Sequence, residues 1–432
     1  MHRRSLKTAI LAALALATAA CGGAGDPDIV VIGPGEPIEV RTLLSGTGAS
    51  RAAVEMAVDH FGRVHGHEVE LGPPVDSMCS REGGHDGADE IVDDPKVLGV
   101  IGTSCSVAAV AASPRISVAG LVMISPSNTS PVLTSDLRGN SGRSYHAGYF
   151  RVANNDLHQG QAVAGFAYDE LGLRRVVALH DGDPYTSALA RAFREAFRDR
   201  GGSVPAFGAI EKGQTDMADV IREFAVAEPD GVFFPIFSEE AEHFIRQARE
   251  PNRLEDATFI SADGALEAEF LALPESEGVY FAGPPTHQDA NFNIATGRTA
   301  AEALAAFEAE YSEFAHLSPY WAHAYDAATL LLSAIRRAAV PDDGNFFTRL
   351  IGIDDEGTLR ISRSELRQAV RDVSNDTALA YGTGAGGFPG LTGLLACDEF
   401  GDCAPGIQVI YHHTDASVSD PGELPVAYRF EP

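Results

Sequence analysis

The chain has 432 residues and a formal charge of −29, with 61 acidic against 32 basic side chains and 45% hydrophobic residues. That length is two to three times the ~150 residues of an ordinary domain, so two lobes are expected. So acidic a surface repels nucleic-acid phosphates and anionic lipid heads, which excludes nucleic acid as a partner and leaves the membrane reachable only through an anchor.

The N-terminus supplies one. Arg3, Arg4 and Lys7 precede an apolar run at 9–17, and Thr18-Ala19-Ala20-Cys21 forms a small-residue cleavage site. Residues 1–20 therefore read as an export signal, followed by a tether at 21–37. The pattern resembles a bacterial lipoprotein signal, in which Cys21 becomes the lipid-bearing first residue. No later run reaches the ~18 apolar residues of a membrane-spanning helix.

From 30 to 46 two β-rich runs flank a Gly/Pro turn at 33–37, and Ser50 is placed to cap an Ala/Val/Met helix to Phe61. Strands follow at 68–71, 97–101 and 121–124, with helices at 87–93 and 107–112. The segment 97–134 is the most informative, because each of its two apolar runs ends in a turn of Ser, Thr and Asn. In an open α/β sheet, ligands sit at the carboxyl ends of the strands, where hydroxyls and helix N-terminal amides can hold a carboxylate.

After a polar break at 154–156 the alternation restarts. Helices are expected at 158–170, 186–200, 218–227 and 265–273, and strands at 176–180, 204–210, 231–235, 258–261 and 279–282. Gly201 closes the second of these helices as a C′ glycine. Helices at 299–314 and 319–338 come next, and Ser362 with Glu365 forms a capping box for a helix to Val373. A flexible glycine-rich run at 382–393 leads to strands at 394–397 and 407–412.

Five cysteines are odd in number for an exported chain, and a lipid on Cys21 accounts for one. Neighbouring sheet ends could bring Cys79 to Cys105, and Cys397 and Cys403 flank the hairpin-like DEFGD. A zinc site is the rival reading, but neither pair has the CxxC spacing. Other metal candidates are His60, His65, His67 and His85, or Glu239, Glu242 and His243 on one helix face, where charges usually form a solvated surface. Gly33-Pro34-Gly35 lacks a following helix, so no nucleotide fingerprint, metal or cofactor is assigned.

Gly102-Thr103-Ser104-Cys105-Ser106 is similar to a hydrolase nucleophile elbow, with Ser106 where that motif has Gly. His180, His323 and His412 are candidate partners, and no local signature selects one.

Taken together, LLSG at 43–46, GTSCS at 102–106, ISPSNTSP at 124–131, FRV with Gln159-Gly160, HDGDPYTSALA at 180–190, FIRQA at 244–248, and Gly393 with FGDC resemble the leucine/isoleucine/valine-binding family of type I periplasmic binding proteins. The resemblance implies an α/β architecture of two Rossmann-like lobes with parallel-sheet cores and a three-crossover hinge. Lobe 1 would hold 38–152 and 285–388, and lobe 2 would hold 153–284 and 389–432. The hinge would lie near 151–154, near 282–285 and in the glycine-rich run ending at Gly393.

It also implies a non-enzymatic receptor that closes on an amino acid, branched-chain-like, or a similar small solute and presents it to an ABC transporter permease. A sensory receptor of the same fold is the alternative. Carried over singly, Ser106, Ser127 and Thr129 match the family's carboxylate-holding residues and Tyr185 its second-lobe Tyr. Asp263 in ISADGA matches the acidic partner of the α-ammonium, where the best-known members carry Glu. Phe237 stands where Tyr is common, and Cys79 and Cys105 match the family's cysteine pair. The loop after LLSG lacks the longer insertion that helps to close the side-chain pocket, and 342–374 departs from the simplest members.

Overall fold

Strands that are buried on both faces read as unbroken apolar runs, and two parallel sheets grow from such runs here. The computed structural model describes residues 28–46, 48–286, 290–314, 318–341, 357–378 and 386–432. The signal, Cys21 and the glycine-rich run up to 385 lie outside them. The first sheet is parallel, in the order Val69–Leu71, Ile38–Leu44, Gly99–Gly102, Val122–Ser125, Tyr149–Arg151, with Val75–Asp76 also paired to Ile38–Leu44. The second runs Val426–Phe430, Gln408–His412, Tyr280–Gly283, Thr258–Ala262, Gly231–Phe233, Val176–His180, Phe207–Ala209. Its last five strands are parallel, and the first two add antiparallel at one edge.

Each sheet is sandwiched between two apolar layers. In the first, Ala49–Phe61 and Trp321–Ala338 contribute to the core on one face, while Arg81–Val92 and Ser106–Val118 fill the other. In the second, Asp156–Gly165 and Pro184–Asp199 oppose Ala218–Val226 and Ser238–Ala248. In both sheets the chain starts in the interior and then winds outward in both directions. Such a switch point leaves a crevice at the carboxyl ends of the strands. In the first sheet it falls between Ile38–Leu44 and Gly99–Gly102, and in the second between Val176–His180 and Gly231–Phe233.

Several expectations shift. The helix expected at 87–93 starts at Arg81, because Gly83 and Gly84 serve close packing. A Cβ on them would lie 2.3 Å from the backbone oxygens of Ser77 and Ala108. Ser50 is not a cap: the N-cap is Gly48, with no side-chain bond, and Ser50 lies inside the helix. At Ser362 the hydroxyl accepts from the Glu365 amide, whereas the complete reciprocal capping box is made by Thr299 and Glu302. The strand expected at 204–210 shortens to Phe207–Ala209, and the helix at 265–273 to Ala268–Leu271 behind a single 3₁₀ turn. Strand Val426–Phe430 was missed because three of its five residues are exposed and none is fully buried, so no apolar run marks it; Ile29–Ile32 pairs antiparallel with Leu359–Ser362 in a small separate sheet.

The third crossing between the lobes also moves. Phe388, Leu391, Leu395, Cys397 and Cys403 are buried in the first core, and Gln408–His412 lies in the second sheet. The chain therefore crosses at 404–407, not in the run that ends at Gly393. The hairpin Phe388–Leu395 is held in the first lobe by Asp326, whose buried carboxylate accepts from the amides of Leu391 and Thr392, both at 2.8 Å.

Candidate functional site

One cavity of about 380 Å³ lies between the two switch points, and all six of Ser106, Ser127, Thr129, Tyr185, Phe237 and Asp263 line it. The first three come from the turns after Gly99–Gly102 and Val122–Ser125. Ser106 opens its helix and its Oγ accepts from the Ser130 amide at 3.4 Å. The Ser127 hydroxyl donates to the Ser104 carbonyl at 2.9 Å. Cys79 and Cys105, joined by a disulfide, stand beside them on the same wall. The second disulfide, Cys397–Cys403, closes a loop whose backbone bonds Arg151 at the first crossing.

The opposite wall is aromatic and acidic. Asp183 caps the helix that begins at Pro184 by accepting from the Tyr185 amide at 2.8 Å, and this fixes where the Tyr185 ring leaves the helix. Tyr185 and Phe237 pack with ring centroids 5.5 Å apart. Asp263, just after strand Thr258–Ala262, is buried and accepts three bonds: from Gln159 Nε2 at 2.6 Å, from the Tyr185 hydroxyl at 3.2 Å and from the Tyr320 hydroxyl at 2.9 Å. Burial pushes its carboxyl above the ordinary range, and the three donors pull it back only in part.

Asp156 is wholly buried nearby, at the start of the helix that follows the first crossing. Its amide donates to the Thr129 carbonyl at 3.0 Å. Neither carboxylate oxygen has a hydrogen-bond partner among the described residues, although the Thr129 side chain and Asp263 lie within its electrostatic reach. Burial, reinforced by the charge of Asp263, drives its carboxyl well up. Asp263 lines the cavity and Asp156 lies within its electrostatic reach, and a desolvated carboxylate in the lining attracts a cationic group.

The residues that sequence reading missed are Asp156, Tyr320, Gln159 and Arg51. Tyr320, in Ser318-Pro319-Tyr320-Trp321, stands on the first-lobe helix yet bonds second-lobe Asp263. Its signal is a polar aromatic immediately before an Ala/Leu helix. Gln159 is visible only as part of a motif. Arg51 lines the cavity while its Nε pairs with Glu55 at 2.8 Å and its Nη1 donates to Thr42 at 2.6 Å.

The catalytic and metal candidates are dispersed. The Ser106 Oγ meets a backbone amide, and His180, His323 and His412 all lie outside the cavity lining. His180 packs on Phe207, His412 stacks on Tyr280, and burial lowers His323 to about 3. His60 bonds Tyr325, His65 the Arg336 carbonyl, His67 the carbonyls of Glu36 and Gly357, and His85 Asp86. Glu242 pairs with Arg246 at 3.0 Å. Among the described residues no group of three His, Cys, Asp or Glu could hold a metal ion.

Comparison with known proteins agrees with this geometry. An amino acid binding protein of Pseudomonas aeruginosa is 28% identical over 222 residues, which cover 51% of this chain and 56% of that protein, so the match spans just over half of the relative. A leucine-specific-binding protein of Salmonella typhimurium is 26% identical over 340 residues, covering 78% of this chain and 86% of that one. The crystal structure of a leucine binding protein from Thermotoga maritima matches in fold with a TM-score of 0.71 at 23% identity, covering 91% of this chain and 99% of that one. The family model described as periplasmic binding protein matches residues 43–378. A chain with two switch-point crevices facing one cleft, matched over most of its length by that model, belongs to the periplasmic binding protein family and carries its type I fold.

Proposed function

We propose that this protein is the extracytoplasmic solute-binding component of an ABC importer and that it captures a free α-amino acid between its lobes. The observation that carries the reading is the polarity of the cleft. Hydroxyl-bearing turns with Ser106, Ser127 and Thr129 stand on one wall, and the buried carboxylate of Asp263 stands on the other. A zwitterion needs donors for its carboxylate and an anion for its ammonium, and charge-assisted bonds of this kind are the strong ones. Asp156, whose carboxylate oxygens have no hydrogen-bond partner among the described residues, lies within electrostatic reach of Asp263 at the same end. The two relatives named for amino-acid and leucine binding support the same ligand class.

Beyond the zwitterion end the lining is mixed, with Leu44, Val75 and Pro319 beside Arg51, Asp76 and Glu267. A thermal-shift screen of the twenty L-amino acids against their α-keto counterparts tests the reading. An amino acid should stabilise the protein by ~2.7 kcal/mol at a hundredfold excess over Kd, and its keto acid should not. Equal stabilisation by the keto acid would remove the ammonium site from the proposal. The reading includes a lipid on Cys21 that tethers the receptor outside the cytoplasm. Cys21→Ala should then release the exported chain into the soluble fraction.

A further inference from the structure

Arg151 is the largest fully buried side chain among the described residues and sits where the chain first leaves the first lobe. Its Nη1 donates to two carbonyls, Ser130 O at 2.8 Å and Asn128 O at 3.3 Å, which flank Thr129 in the cleft. In a planar trans peptide the N–H points away from the preceding carbonyl. Holding Asn128 O on the guanidinium therefore presents the Thr129 N–H on the opposite side, and that amide makes no hydrogen bond among the described residues. The neighbouring Ser130 amide donates to Ser106 Oγ, and the Ser130 hydroxyl reaches Pro184 O in the other lobe at 2.7 Å. One buried cation thus sets the shape of the turn that carries Thr129.

The anion opposite Arg151 is Asp402, which arrives from the far end of the chain. It bonds Arg151 Nε and is itself only 11% exposed. Its second oxygen accepts from Asn155 Nδ2 at 3.1 Å and Ser135 Oγ at 3.2 Å. A short covalent loop delivers it. The Cys397–Cys403 disulfide closes a six-residue separation, and Asp398 Oδ1 accepts from the amides of Phe400 and Asp402. The loop is then stitched to the hinge strand, with Arg151 N donating to Gly401 O at 2.9 Å and Cys403 N donating to Arg151 O at 3.1 Å. Next to it Asn154 bonds Gly406 N and Ile407 O, so the first and third crossings are laced together.

We propose that Asp402, presented by the Cys397–Cys403 loop, is a positioning residue for the binding turn, acting through Arg151 to hold Asn128 and Ser130 so that Thr129 faces the solute. The proposal rests on the reading of that turn as part of the site. The sequence separation of more than 250 residues between the two charges means that no local element can replace the contact. A buried guanidinium that loses its anion must seek another or draw in water. Either outcome frees the two carbonyls and lets the Thr129 peptide rotate. Asp156 is within electrostatic reach of Arg151 and is the nearest substitute, so the disturbance would spread to the ammonium end.

The test uses the full exported chain in three variants: Asp402→Asn, Asp402→Glu, and Cys397→Ser with Cys403→Ser. Two readings are taken, hydrogen exchange of 126–131 without added solute and calorimetric titration with L-leucine. Asp402→Asn should raise exchange in 126–131 and weaken L-leucine, each about tenfold, while 218–226 in the second lobe keeps its protection. Asp402→Glu should recover most of both. If Asp402→Asn fails to fold, the serine pair carries the same expectation, because it keeps both charges and frees only the loop. Unchanged exchange at 126–131, an equal loss of protection at 218–226, or no recovery with Glu would each overturn the proposal. A wild-type chain that leaves L-leucine unbound counts against that solute, and the exchange comparison then decides the positioning role alone.

Discussion

Asp263 takes three hydrogen bonds and still holds its proton more tightly than a free carboxyl, because burial outweighs the donors. An ammonium ion is the partner that would reverse that balance. Asp263→Asn should weaken amino-acid binding by more than ~1.5 kcal/mol in calorimetry, since a charged hydrogen bond is replaced by a neutral one. Asp183 gives a second test at this scale. Burial raises it to about 6 from the ordinary 3.8, so the folded protein holds a proton that the unfolded chain has released between these values. A raised acid contributes stability that is present below the unfolded value and lost as pH rises through the folded one. Urea unfolding from pH 4 to 7 should show this loss, and Asp183→Asn should flatten it while keeping the cap on the Tyr185 amide, since Asn caps as well as Asp. A slope unchanged by the substitution would assign the pH dependence to other groups. Asp263 could be found from ISADGA, but its partners Gln159, Tyr185 and Tyr320 stand 57 to 104 residues away in the chain. Nothing local marks them as one cluster.

At the scale of elements, helices were legible as patterns and their ends only in part: Gly201 follows the C-cap Arg200 and Ser362 caps its helix, as expected. Thr299 makes a reciprocal capping box with Glu302, whereas Ser50 lies past a Gly48 N-cap that has no side-chain bond. Thr299→Ala should therefore cost ~0.5–2 kcal/mol in chemical denaturation. Ser50→Ala should stay within about 0.5 kcal/mol. Equal costs would mean that the cap assignment is wrong. Glycine misleads in the same way. The helix expected at 87–93 leaves out Gly83 and Gly84, yet they lie inside Arg81–Val92, where a side chain would collide with neighbouring backbone. Only the approach of a second element reveals that kind of requirement. The Cys79–Cys105 bridge ties this helix to the turn that bears Ser106. Replacing both cysteines with serine should cost ~2–4 kcal/mol, read as a lower urea midpoint at unchanged slope.

In the whole molecule, two side-chain hydroxyls among the described residues cross the cleft, from Tyr320 to Asp263 and from Ser130 to Pro184. Binding energy spent across such a cleft favours the closed arrangement of a hinged receptor. Tyr320→Phe removes one of these bonds, so its ligand-free radius of gyration by small-angle scattering should exceed that of the wild type, and a saturating amino acid should bring the two together. Identical ligand-free curves would leave the Tyr320 hydroxyl without a role in closure. The alternation of strand and helix and the polar turns after 97–101 and 121–124 were legible in the sequence, because apolar period and strand-end polarity are local properties; the six residues that line the cavity came from the family resemblance. The third crossing was misplaced for the opposite reason. Glycine content suggests a hinge near Gly393, but Asp326 and the apolar contacts of Phe388 and Leu391 hold that hairpin in the first lobe. The chain by itself determined which segments become strands and helices and which polar turns close the strand ends of the first sheet. Tertiary packing decided where the lobes exchange chain and which distant groups, Tyr320 on Asp263 and Asp402 on Arg151, complete the cleft, because a buried charge finds its partner in space and leaves no periodic trace in the sequence.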